Sequence, residues 1–283
     1  MHVLARHTLI AAALLLVLGG CVHGNTEGAS VPDSAGSAAV TPQALSAPLT
    51  ITPHSRTLTA PDCEGVDEAC GRIEADWLTF DNSTALSEAL MQRLLRMAAP
   101  MSDAPSEESA TPATLDAFAA DFFNQSLQAN AGNTSPRPWQ ADLEAQQIAR
   151  HDDLVVLALN SWVYTGGAHG MPITNFMVID ERRREVVTLD DMLLPGAREA
   201  FDSALHQAWQ RWLADSEAGQ TLNPKDWPFV TSDNVAPLKD QLAVRYDVYS
   251  LGPYVIGQPQ LTIPYDALAG VLKPRFLPGG ATH

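Results

Sequence analysis

The sequence predicts an α+β fold: a largely antiparallel sheet with inserted helices packed on it. Three observations carry that reading. Alternating apolar and polar residues recur in runs joined by tight turns, the pattern of hairpins. Two long stretches, about 84–97 and 196–215, instead repeat every three to four residues, the pattern of helices buried on one side. Hydrophobic residues make up 46% of the chain and charged residues 18%, an ordinary globular balance.

The elements follow in order. Leu49-Thr50-Ile51-Thr52 alternates and reads as a strand. Ile73, Ala75, Trp77 and Thr79 alternate with Glu74, Asp76 and Leu78, a second strand. Asn82 or Ser83 is placed to cap a helix whose stripe is Leu86, Leu90, Leu94 and Met97. Residues 100–111 are Pro- and Ser-rich, a loop, and Thr111-Pro112 predicts the next helix start. Its apolar face is Leu115, Phe118, Ala119, Phe122 and Leu127. Trp139 to Arg150 and Leu154 to Tyr164 predict a hairpin turning at His151-Asp152-Asp153. Ile173 to Asp180 is a further strand, and Val186-Val187 follows the basic turn Arg182-Arg183-Arg184. The helix at 196–215 turns Phe201, Leu205, Ala208, Trp209, Trp212 and Leu213 inward. Leu242, Val244, Tyr246 and Val248 alternate as a late strand, Leu261 to Ile263 is another, and Tyr265 to Leu272 a short closing helix. There is no internal repeat.

The N-terminus is of a different kind. Arg6 precedes an apolar run from Leu9 to Val17-Leu18, ten residues long. That is the length of a signal-peptide core and about half of the ~20 residues a spanning helix needs. Leu18-Gly19-Gly20-Cys21 follows, small residues before a Cys, as in the lipobox of bacterial lipoproteins. The expectation is a signal peptide over 1–20 and a diacylglyceryl thioether on Cys21, with a plain secretory cleavage site as the alternative. By resemblance to Gram-negative lipoprotein sorting, Val22 rather than Asp after the Cys favours the outer membrane, facing the periplasm, in a cell that has one. Of residues 22–48, 18 of 27 are Ala, Gly, Ser, Thr or Pro and none is aromatic, so 21–48 reads as a lipidated flexible tether. The folded part divides into 49–150 and 151–278, read together as one unit.

Charge and cysteines bound the partners. The net charge is −16, and because Arg6 is the only charged residue in 1–20, the processed chain carries −17. A polyanion of this size is repelled by nucleic acid and by anionic lipid surfaces, and its natural electrostatic partners are cations, basic proteins or metal ions; the plain alternative is a surface kept soluble by its charge. With Cys21 taken by lipid, Cys63 and Cys70 remain. In an oxidising compartment such a pair closes a disulfide, contributing about 2.5 kcal/mol in the chain-entropy model. A free or metal-binding pair is the alternative, but no second ligand pair lies nearby.

Catalytic signatures are sparse. Tyr164-Thr165-Gly166-Gly167-Ala168-His169-Gly170 ends a strongly apolar strand, and its glycines permit positive φ and close backbone approach. It is either an anion-binding loop in which His169 adds a donor, or a tight connection in which His169 satisfies turn carbonyls. Asp190-Asp191 after Thr188 reads as the first turn of a helix, with acids at the positive end of its dipole. Asp152-Asp153 reads as turn chemistry. There is no GxSxG elbow, no HExxH and no Rossmann offset. No cofactor and no metal site is expected.

Two stretches, 164–170 and Tyr249-Ser250-Leu251-Gly252-Pro253-Tyr254-Val255-Ile256-Gly257-Gln258-Pro259 running into Leu261-Thr262-Ile263-Pro264-Tyr265, together resemble the extracytoplasmic domain shared by the RsiV anti-sigma factor and the peptidoglycan deacetylase PdaC. Leu189-Asp190-Asp191-Met192-Leu193 stands at that family's middle element, and the likeness covers about residues 49–274. Gly252 stands before Pro253 where the family usually has Ala. The resemblance implies a sensor-like domain that binds lysozyme or accompanies cell-wall chemistry. No deacetylase motif is present and no cytoplasmic segment precedes the signal, so the expectation is the binding domain alone on a lipid anchor. Tyr164, Gly166, Gly167, His169 and Tyr254 are the candidate ligand-binding residues. The expected function is a non-enzymatic envelope-anchored binding module for lysozyme or cell-wall material. The rivals are a polysaccharide-modifying enzyme that pairs His169 with Asp152 or Asp153, and a structural lipoprotein.

Overall fold

A computed structural model describes residues 47–61, 63, 70–99 and 112–279. The signal peptide, Cys21, tether residues 22–46 and the loop at 100–111 lie outside the described residues. The fold is α+β. Its main sheet has six strands in sequence order: β1 (Ile51–Thr59), β2 (Arg72–Phe80), β3 (Gln140–His151), β4 (Leu154–Tyr164), β5 (Met171–Asp180) and β6 (Glu185–Val187). Neighbours are antiparallel except β2 and β3, which run parallel. A parallel pair needs a long crossover, and here it is made by two helices, α1 (Thr84–Ala98) and α2 (Leu115–Asn130). After β6 come the short α3 (Leu189–Met192), the long α4 (Arg198–Asp215) and α5 (Glu217–Gln220). A separate three-stranded antiparallel sheet follows, with β7 (Val235–Pro237), β8 (Gln241–Arg245) and β9 (Gln260–Pro264).

Alternation along the strands sends residues to two faces, and each face has its own core. On one face α1 and α2 bury Leu90, Leu94, Phe118 and Phe122 against Ile73, Ala75, Leu143, Leu157 and Leu159. On the other, α4 and the small sheet pack Phe201, Leu205, Trp209, Leu242 and Ile263 onto Leu154, Val156, Ala158, Phe176 and Val178. This second layer covers only the β4–β6 half of its face. The β1–β2 hairpin is closed by the Cys63–Cys70 disulfide, with Cα atoms 5.8 Å apart.

Several elements differ from their sequence reading. The first strand runs to Thr59 because all nine of its residues pair with β2. The second helix starts at Leu115, capped by the Thr114 hydroxyl accepting from the Ala117 amide at 3.2 Å; Pro112 precedes it, and Thr111 is outside the described residues. Leu127 is 60% exposed. Ser126 takes the inward position instead, and its hydroxyl accepts the Trp139 amide at 3.0 Å. The late strand stops at Arg245; Tyr246 and Val248 are buried beyond it. The closing helix is only a 3₁₀ turn over Tyr265–Leu268. At α1 the position of the cap is Ser83, which makes no capping bond, while Asn82 binds the Pro48 carbonyl and the Thr50 amide. That bond belongs to a clamp on the start of the fold. Leu49 is buried, its amide donates to Glu181 at 2.7 Å, its carbonyl accepts from Arg150 at 3.1 Å, and Arg184 binds the Ala47 carbonyl. The last two residues assigned to the tether are therefore already held.

Two readings of acidic pairs hold. Thr188 and Asp191 form a reciprocal capping box at α3, and the Thr188 hydroxyl and amide hold the Asp191 carboxyl below its usual range. Asp152, at φ 51, occupies the β3–β4 turn, a conformation Asp tolerates better than most residues.

Candidate functional site

The two motif loops, about 80 residues apart in sequence, meet at one end of the main sheet. His169 stacks on Tyr254 with ring centroids 3.7 Å apart. Its Nδ1–H donates to the Gly170 carbonyl at 3.1 Å, which leaves Nε2 to accept from the Tyr249 hydroxyl at 3.3 Å. The Tyr254 hydroxyl donates to the same Gly170 carbonyl at 2.8 Å. Tyr249 holds φ 67, a costly conformation for a bulky residue; it is 47% exposed, and Val255 of the same motif is 86% exposed. Gly166 and Gly167 have φ 96 and 99, which explains glycine at both. The turn they make is tied inward: the Gly167 carbonyl accepts from Arg137 at 2.9 Å and from the Tyr164 hydroxyl at 3.3 Å. The structure thus brings together Tyr164, Gly167, His169 and Tyr254, and adds Tyr249 and Arg137.

Gly170 serves a different purpose. A Cβ there would lie 2.2 Å from the Trp162 ring. Glycine leaves room for that indole, which stacks with Tyr164 at 6.2 Å between ring centroids and 9° between planes. Trp162 is also the edge of a groove of about 460 Å³ on the half of the sheet face that α4 leaves open.

The groove is lined by Glu74 and Asp76 from β2 and by Asp142 and Glu144 from β3. The parallel register sets Glu74 opposite Asp142 and Asp76 opposite Glu144. Like charges directly opposed across strands destabilise a sheet. Partial burial, then the charge of Glu74, push the Asp142 carboxyl above its usual range, with Arg72 acting against them. Arg72 pairs with Glu74, and Asn160 donates to Glu144 at 3.0 Å. Trp162 faces Asp142 across the β3–β4 ladder, and Gln258 of the second motif lines the far side. Among the described residues no group of three or more His, Cys, Asp or Glu is arranged to hold a metal ion.

The rival catalytic pair does not assemble. Asp152 and Asp153 lie before β4 and His169 beyond it, so the eleven residues of β4, roughly 35 Å of strand, separate them. Sequence reasoning missed the acidic row. Its signal was present as outward-facing acids on two predicted strands, but nothing local showed that β2 and β3 are neighbours.

Fold and site define an α+β domain with an aromatic and acidic surface at the open end of its sheet. A family described as a protein of unknown function, DUF3298, matches residues 190–266. A crystal structure of a DUF3298 family protein from Pseudomonas aeruginosa PAO1 is 32% identical, with a TM-score of 0.70, covering 83% of this chain and 100% of that one. A DUF3298 member from Bacteroides fragilis NCTC 9343 shares the fold at 18% identity and a TM-score of 0.57, covering 80% and 94%. No curated protein matches. The chain belongs to the DUF3298 family.

Proposed function

We propose that this protein is a non-enzymatic binding module, anchored in the cell envelope through lipid on Cys21, whose ligand is a basic protein such as lysozyme. The observation that carries the reading is the acid-lined groove beside the joined motif loops. Four carboxylates are kept opposed across two strands, at a cost in stability, on the face of β2 and β3 opposite the one that α1 and α2 cover. A cationic surface docked there relieves that repulsion, and Trp162 offers an aromatic face to a Lys or Arg side chain. The whole-chain charge of −16 steers such a partner inward at long range. The RsiV/PdaC likeness of the motif loops supports the same class of partner. Cell-wall fragments are the second ligand class, supported by the stacked Trp162–Tyr164 pair. His169, occupied by two tyrosines and a backbone carbonyl, serves to join the loops.

The test uses protein made soluble by Cys21→Ser. Immobilised, it should retain egg-white lysozyme at low ionic strength and release it as salt rises. Absence of binding at either salt sinks the lysozyme reading.

A further inference from the structure

A second hollow, of about 560 Å³, lies over an unpaired stretch of β5 and shares only Ile173 with the acidic groove. β6 reaches no further than Val178, so Ile173, Asn175 and Phe176 sit on an open strand edge. Helix α1, which covers one face of the main sheet, supplies Arg93 and Arg96 to one wall. The loops flanking β7 and β8, on the other face, supply Asp233 and Asp247. The walls therefore carry opposite charge.

The charge of Arg93 is not matched within the protein. Arg93 is half-buried; lost hydration, then the like charge of Arg96, hold its guanidinium below its usual range. Among the described residues its side chain has no hydrogen bond and no ion pair, while Asp233 is taken by Arg198 at 2.5 Å. Burial pushes the Asp247 carboxyl upward, eased by the carboxamide of Gln258. A direct bridge between Arg93 and an acid would be the simplest relief for a desolvated charge, and among the described residues none is made. Asn234 holds the acidic wall in place. Its carboxamide accepts the Phe176 amide at 2.7 Å and donates to the Thr174 carbonyl at 2.6 Å, so the acidic loop is pinned to the strand edge.

We propose that this hollow binds a zwitterion, an amino acid or short peptide carrying a free ammonium and a free carboxylate. The carboxylate meets Arg93 and Arg96, where a guanidinium can bind it with two parallel hydrogen bonds. The ammonium lies toward Asp247. Neither a plain anion nor a plain cation satisfies both walls. The assignment is independent of the lysozyme reading, because it uses other residues and another ligand.

The experiment is an NMR titration of the isotope-labelled Cys21→Ser protein with three probes: dialanine, N-acetyl-dialanine, which lacks the ammonium, and dialanine amide, which lacks the carboxylate. Dialanine should shift the Asn175, Asn234 and Arg93 signals saturably. Each capped probe, and dialanine on Arg93→Gln or Asp247→Asn, should bind about tenfold more weakly. Arg93→Gln should keep the wild-type pattern of backbone signals elsewhere. Equal binding of the capped probes overturns the proposal. So does the absence of any shift at about 10 mM dialanine, a concentration at which a millimolar site is filled.

Discussion

One face of the main sheet is built in two unlike halves. Along β4 and β5 it presents Leu154, Val156, Ala158, Phe176 and Val178, all buried under α4 and the small sheet. A few residues away, on β2 and β3, the same face presents Glu74, Asp76, Asp142 and Glu144 to solvent. Both halves have the same backbone geometry and the same alternation. They differ in what each asks of a neighbour: the first has its apolar partner within the chain, while the second gains nothing from one. The covered half holds the fold together, and the open half is kept at some cost to stability.

That contrast can be broken from either side. The largest effect belongs to the covered half. Phe201 is fully buried at its centre, and Phe201→Ala should cost about 3–5 kcal/mol in urea unfolding, with lysozyme binding per folded molecule unchanged. An intermediate effect belongs to the seam. Gly170→Ala places a methyl group 2.2 Å from the Trp162 indole. It should cost about 1–3 kcal/mol, move the tryptophan fluorescence and weaken partner binding; an unchanged emission spectrum would show that Trp162 is not held over Gly170.

The smallest effect has the opposite sign. Asp142→Asn removes one member of an opposed pair and should stabilise the protein by about 0.2–1 kcal/mol, toward the low end because the face is exposed. The pH dependence follows from the raised carboxyl. The folded state holds this proton more tightly than the unfolded chain, so stability falls as pH rises from the ordinary Asp range to the raised value. That fall should be smaller in Asp142→Asn, as read from unfolding midpoints across mildly acidic pH.

Much of the fold was legible because it is written locally. The β3–β4 hairpin follows from one alternating run and one continuous apolar run around Asp152-Asp153, and α3 from Thr188 with Asp191 three residues on. The inward stripe of α4 follows from Phe201, Leu205 and Ala208. What escaped was set by tertiary packing. Leu127 has the chemistry of a core residue but the angular place of a surface one, and Ser126 is inward because Trp139 needs its hydroxyl. Asn82 resembles a helix cap and instead fastens the chain at Pro48 and Thr50. For the site, Tyr164, Gly167, His169 and Tyr254 were readable from motif chemistry. Tyr249 opens the second motif but was not singled out within it, and Arg137 lies outside both motifs, at a position no local pattern marks. The acidic row required knowing that β2 and β3 pair in parallel across two intervening helices, a long-range fact with no local signature.

The central claim is that the open acidic half serves a partner rather than the fold. Its most direct test is the double variant Asp142→Asn with Glu144→Gln, measured for lysozyme affinity at low salt and for unfolding midpoint in the same preparation. The account predicts affinity at least about tenfold weaker with a midpoint equal to or above that of the parent. Unchanged affinity, or a lower midpoint accompanying any loss, would contradict it.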